Sequence, residues 1–222
     1  MGKFPEENKP GYAVYSRRTL ALYDALVLGF SNRFIWRCPS RHLIGHHVAN
    51  LSARHLDIGV GTGFFLDKAR FPAKSPQITL LDPNRECLES ASERISRYKP
   101  KSVHADAMVP LPGALGHFDS IGLNYLLHCL PGSMARKSVV FDHLKPHLSE
   151  GGTVFGSTIL QVANPRPLLA SKLMSIYNAR GVFANADDTL EALRAELSAR
   201  FAEVSIEMIG CVALFTARFA KT

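Results

Sequence analysis

The stretch Asp57-Ile58-Gly59-Val60-Gly61-Thr62-Gly63 sets three glycines at alternate positions directly behind a short apolar run. Glycine permits a sharp reversal and lets a ligand touch the backbone. In an open parallel sheet the first strand-to-helix turn is the usual ligand site. The dinucleotide pattern G-x-G-x-x-G would need a glycine at position 64, where Phe64 stands and obstructs the close helix approach. Asp82 ends the second apolar run, "LLDPN", and is placed to accept hydrogen bonds from both hydroxyls of a ribose. Together these residues point to a nucleoside ligand, with a pyrophosphate disfavoured.

The elements needed to position such a site are legible as an alternation. "RHLDIG", "QITLLD", "KSVHAD", "HFDSIGLN" and "GTVFGSTIL" read as strands, separated by helices in "GFFLDKAR", "NRECLESASERISRY" and "SMARKSVVFDHLKPHL". This order predicts an α/β, Rossmann-like, doubly wound and mainly parallel sheet. Helices are expected over 165–180 and 188–201, the second opened by Asp188 and Glu191 as a capping box. "EVSIEMIG" and "CVALFTARF" lie too close for a parallel crossover and predict an antiparallel terminal hairpin. Ahead of the alternation, "TLALYDALVLGF" (19–30) and "SRHLIGHHVANL" (40–51) predict two cap helices. One domain over 1–222 is expected, with a cap or lid over 1–50, a Rossmann-like core over 51–222 and an insertion near 161–187.

With 222 residues and 46% hydrophobic composition the chain can bury one sizeable core. The first ten residues lack the apolar stretch of a signal peptide and no later run is fit to span a bilayer, so a soluble cytoplasmic protein is expected. Cys38, Cys87, Cys129 and Cys211 form no C-x-x-C pair and read as buried thiols. His42, His46 and His47 lack an acidic or thiolate partner nearby and read as a helix surface; no metal is expected. The net charge is +7 and the pI near 9.4, with +4 of that charge in residues 11–50. A solvated basic surface accounts for this excess, and so does a basic entrance for an anionic substrate.

The combined set resembles the class I S-adenosylmethionine-dependent methyltransferases, in their type 11 and type 12 small-molecule branches. Their motif D-x-G-x-G-x-G matches Asp57, Gly59, Gly61 and Gly63, and the acidic end of their second strand matches Asp82. "HADAMVPLP" resembles their G-D-A-x-x-L-P segment, with His104 in place of a small residue and one residue inserted. The resemblance implies cofactor contacts from Asp57, Gly59, Gly61, Gly63, Asp82, Pro83, Asp106, Ala107 and Asn124, with Asp106 facing the adenine amino group. It covers residues 50–160. A seven-stranded sheet and an S-adenosyl-L-methionine cofactor follow from it.

The loop after the fourth strand bears on the acceptor. Asn124-Tyr125-Leu126-Leu127 lacks the prolines of nucleic-acid amino methyltransferases, whereas "LLHCLPG" resembles the L-H-H-x-P segment of small-molecule and quinone methyltransferases. An acidic or partly apolar small molecule is the expected acceptor, with no specific nucleic acid partner. An RNA methyltransferase and a non-catalytic cofactor-binding protein are the alternatives. His128 is the candidate base, because a neutral imidazole can take a proton near pH 7; a histidine that only packs beside the cofactor is the other reading. Tyr12 and Tyr15 are candidates to close over the methyl group, or else belong to an ordinary packed segment. Asn164, Tyr177, Asn178 and Asn185 lie where this family gathers substrate contacts.

Overall fold

The computed structural model describes residues 24–161 and 168–219. Strands β1 (Arg54–Ile58), β2 (Gln77–Asp82), β3 (Lys101–His104), β4 (Phe118–Asn124), β5 (Leu148–Ile159), β6 (Glu203–Ile209) and β7 (Val212–Arg218) form one sheet, ordered β3-β2-β1-β4-β5-β7-β6. The first five run parallel, while β7 is antiparallel to both β5 and β6. The expected doubly wound sheet with a terminal hairpin is therefore present. Beyond their first residue, β1 and β2 are buried throughout, which is why they read as continuous apolar runs. Edge strand β6 instead alternates between more and less exposed positions along most of its length.

Helices α1 (Ser40–Asn50), α2 (Phe64–Lys68), α3 (Arg85–Arg94), α4 (Met134–Lys137), α5 (Val139–Leu144), α6 (Leu168–Ala179) and α7 (Leu190–Ser198) surround the sheet. Asn84 caps α3 by accepting from the Glu86 N–H at 2.9 Å, and the helix buries Cys87, Leu88 and Ala91 against Ile78 and Leu80 of β2. Leu56, Ile121, Phe141, Leu193 and Phe215 belong to a second apolar cluster joining the sheet to α5 and α7. A third gathers Trp36, Leu43, Met174, Phe183 and Leu214, binding the N-terminal layer, residues 29–50, and α6 to the hairpin.

Three expectations need correction. The described part of the first cap helix is a π-helix, Asp24–Ile35, and the Trp36 N–H continues its five-residue spacing to the Ser31 carbonyl at 2.9 Å; residues 19–23 lie outside the described residues. The helix expected over 133–148 is broken into α4, α5 and a 3₁₀ turn at Lys145–His147. Finally, α7 is capped by Thr189, whose hydroxyl accepts from the Ala192 N–H at 3.1 Å, because Asp188 faces inward to Lys137.

Gly210 opens the two-residue loop of the hairpin with φ 59°. A side chain there would strike the Trp36 carbonyl, because the N-terminal layer lies against this turn and the Cys211 N–H donates to the Trp36 oxygen at 2.8 Å. Among the described residues no helix is long and apolar enough to cross a membrane.

Candidate active site

The loop between β1 and α2 turns through three left-handed glycines, Gly59 (φ 69°), Gly61 (φ 51°) and Gly63 (φ 72°). They serve different ends. A Cβ on Gly63 would sit 3.0 Å from the Ala91 backbone, so this glycine lets α2 and α3 approach. A Cβ on Gly59 would meet the Leu126 side chain at 2.8 Å. At Gly61 a Cβ would meet nothing within 4 Å, and the residue lines an open cleft. Gly61 is thus the glycine whose missing side chain keeps the cleft clear.

Asp57, Asp82 and Asp106 line the same cleft, although each is at least nine-tenths buried. Asp82 accepts from the Asn84 N–H at 2.8 Å and from the backbone N–H groups of Val60 and Gly61, so it also braces the glycine loop. Burial outweighs these bonds and pushes its carboxyl up to about 7. Asp106 accepts from the Met108 N–H at 2.8 Å. His104 bridges to the Pro83 carbonyl at 2.8 Å and ties the end of β3 to the turn after Asp82. Pro83, Ala107 and Asn124 also line the cleft, as Gly59 and Gly61 do, whereas Gly63, the remaining member of the expected cofactor set, does not.

Asn124 stands over a buried polar cluster. Its Nδ2 donates to His47 Nδ1 at 2.9 Å, and its Oδ1 accepts from the Ser157 hydroxyl at 3.3 Å. His47 is fully buried, and desolvation holds its imidazole well below the usual range. The expectation that the His42-His46-His47 cluster is a helix surface is thus wrong for His47, which orients a cleft residue. No signal in the sequence distinguishes it from its neighbours.

Phe64, Phe65, Tyr125, Leu126, Cys129 and Leu130 form an apolar remainder of the lining. Phe64 and Phe65 meet edge to face at 5.5 Å, and Arg94 lies 5.5 Å from the Phe64 ring while bonding Thr62. Cys129 is half-buried and its thiol is pushed up to about 12, so it is neutral; the other three cysteines are buried, and all four are free.

His128 sits behind this lining, only 3% exposed, its ring 4.5 Å from that of Phe183. Its Nδ1 accepts from the Ile159 N–H at 3.3 Å, which leaves the ring proton on Nε2. Burial first, then the Lys137 charge, pushes the imidazole down to about 3. Tyr12, Tyr15 and Asn164 lie outside the described residues. Tyr177 packs on Phe183 at 4.9 Å, and Asn178 and Asn185 hydrogen-bond one another while Asn185 also donates to the Ile159 carbonyl at 2.8 Å. None of these three lines the cleft.

A family model described as a methyltransferase domain matches residues 56–154. The chain is 42% identical over 197 residues to a putative uncharacterized protein, YbcY, of Escherichia coli, covering 87% of this chain and 100% of that one. It is 36% identical over 207 residues to the demethylluteothin O-methyltransferase of Streptomyces thioluteus, covering 93% and 90%. The solved complex of DhpI with SAH superposes with a TM-score of 0.70 at 14% identity, over 97% of this chain and 98% of that one. A seven-stranded sheet of this order, carrying a glycine turn and three carboxylates at its strand ends, defines a nucleoside-binding Rossmann-like protein. The chain belongs to the S-adenosylmethionine-dependent methyltransferases and is an enzyme of that class.

Proposed function

We propose that the protein transfers the methyl group of S-adenosylmethionine to a hydroxyl oxygen of a small, planar and partly apolar acceptor. One observation carries this reading. A single cleft joins the glycine turn and its carboxylates to a patch made of Phe64, Phe65, Tyr125 and Leu126. The similarity to an O-methyltransferase along nearly the whole chain favours oxygen as the acceptor atom.

S-adenosylmethionine supplies a methyl group already activated on a cationic sulfur. The residues of this chain therefore have to bind, orient and exclude water. Gly61, having no side chain, leaves room for the cofactor; Asp82 accepts from ribose hydroxyls, and Asp106 accepts from the adenine amino group. Asp57, Pro83, Ala107 and Asn124 complete the cofactor side. Phe64, Phe65 and Tyr125 hold the acceptor's flat face and keep water out, so that proximity supplies most of the rate. We assign His128 a holding role in the loop after β4, since its Nδ1 is engaged by the Ile159 N–H. Of the cap expected over residues 1–50, the part with Tyr12 and Tyr15 is assigned as the acceptor lid, since Trp36, Leu43 and His47 are buried and no described residue before Asp57 lines the cleft; deleting residues 1–15 should lower turnover more than affinity for S-adenosylhomocysteine.

The test is transfer from methyl-labelled S-adenosylmethionine to a panel of phenols, hydroxypyrones, aromatic amines and total RNA. Labelled methyl ethers of the hydroxylated rings are expected. Label found only in amines or RNA, or in no member of the panel, would overturn the proposal.

A further inference from the structure

Tyr125 is the residue after β4 and a lining side chain of the cleft, yet its backbone lies in the left-handed region at φ 55°. An aromatic residue holds such a conformation only when its surroundings over-determine it. Two sets of bonds do so. The Tyr125 N–H donates to the Ser157 carbonyl at 2.8 Å and meets the Ser157 hydroxyl at 3.2 Å, which fixes the main chain to β5. The phenol hydroxyl donates to Asn32 Oδ1 at 2.8 Å, which fixes the ring to the N-terminal layer.

Asn32 is fully buried in the π-helix and does not line the cleft. Its Nδ2 donates to the Ser40 hydroxyl at 3.0 Å at the start of α1, and its main-chain carbonyl accepts from the Cys38 N–H at 2.8 Å. One side chain thus joins the π-helix, the start of α1 and the cleft wall. The Tyr125 ring also stands edge-on to Phe65 at 6.5 Å and to His128 at 5.5 Å, so its placement is shared with both neighbours.

We propose that Asn32 is a positioning residue for the cofactor cleft: through the Tyr125 hydroxyl it holds the wall after β4, and it makes filling of the cleft and seating of the N-terminal layer one coupled equilibrium. By linkage, a ligand in the cleft tightens the N-terminal layer, and loosening that layer weakens the ligand. Tyr125→Phe keeps the ring and removes only the hydrogen bond. It therefore separates coupling from packing.

The probe is S-adenosylhomocysteine, and the readout is hydrogen exchange over residues 29–40, with α7 as reference for any global stabilisation. In the wild-type protein saturating ligand should slow exchange over 29–40 about tenfold more than over α7. In Tyr125→Phe the same segment should exchange faster without ligand, and the extra protection should vanish although calorimetry still shows binding. Asn32→Leu should reproduce this, and the double variant should lose no more affinity than either single variant. Extra protection that survives Tyr125→Phe, its absence in the wild-type protein, or additive losses of affinity would each overturn the proposal. The Tyr125→Phe arm decides the matter even where Asn32→Leu fails to fold.

Discussion

Lys137 Nζ donates to Asp188 Oδ2 at 2.5 Å with both side chains shut away from solvent, and the same ammonium donates to the Ala184 carbonyl at 2.6 Å. Between these anchors the chain carries Asn185, and one residue before them stands Phe183, whose ring covers His128. The Ala184 N–H in turn donates to the His128 carbonyl at 2.8 Å. This pair clasps the segment after α6 onto the back of the loop that lines the cleft. Burial pushes Lys137 down and Asp188 up against the mutual attraction of the charges, so the clasp supplies register more than net stability.

Breaking one half should therefore cost far more than replacing both. Lys137→Met leaves a buried carboxylate without its cation and should lower unfolding free energy by about 3–5 kcal/mol. The double variant Lys137→Met with Asp188→Leu should recover most of that loss. Urea unfolding of the three proteins measures it. A double variant as unstable as the single one would show that apolar packing cannot stand in for this pair.

Asp82 predicts a pH dependence whose sign follows from its burial. Its folded pKa is raised to about 7, so the stability it contributes is complete below the ordinary carboxylate range and is lost as pH rises through 7. Ribose hydroxyls donate to the ionised form, so ligand binding expels the proton. Affinity for S-adenosylhomocysteine should rise about tenfold between pH 6 and pH 8, with proton release visible by calorimetry in buffers of different ionisation enthalpy. Asp82→Asn should bind weakly and with a flat profile. A flat profile in the wild-type protein would count against the ribose contact.

What was legible in the sequence lies where a strand ends and its neighbours in sequence do the work. Asp57, the three glycines, Asp82 and Asp106 belong to short local patterns at strand ends, and the alternation of elements places those ends side by side. The parts that could not be read depend on partners far along the chain: Asn32 on Tyr125, His47 on Asn124, Lys137 on Asp188. Lys137 follows Arg136 in a helical pattern, where basic residues ordinarily face solvent. Asp188 precedes Thr189 and stands three residues before Glu191, so the local pattern reads as a capping box; the buried ammonium supplies the competing bond. Nor does the type of Tyr125 announce a left-handed backbone.

Gly61 and Gly63 should fail in different ways. Gly63→Ala drives a methyl group onto the Ala91 backbone and should destabilise the fold, lowering the thermal midpoint by several degrees, as about 1–3 kcal/mol of overpacking does. Gly61→Asn meets no neighbour, and asparagine tolerates the left-handed region. That variant should fold with a nearly unchanged midpoint yet lose affinity for S-adenosylhomocysteine at least tenfold, because its side chain enters the cleft. Undiminished binding by Gly61→Asn would remove Gly61 from the ligand's path.

His128→Asn separates a base from a brace. Asparagine can offer its side-chain oxygen to the Ile159 N–H in place of Nδ1, but it cannot take a proton from an acceptor. A positioned base is worth roughly 10²–10⁴ in rate. If His128 only braces the loop, turnover on an accepted hydroxyl substrate should fall by less than about tenfold, with no lost limb in the pH–rate profile, because the imidazole, pushed down to about 3, stays neutral throughout the working range. Stability carries an independent sign. A depressed histidine contributes stability that is present above the unfolded value near 6.5 and is lost as pH falls toward 3. Wild-type protein should accordingly lose its advantage over His128→Asn as pH drops from 7 to 5 in urea unfolding series. A drop in turnover beyond a hundredfold in a variant that keeps its wild-type fold and ligand affinity would instead make His128 the base.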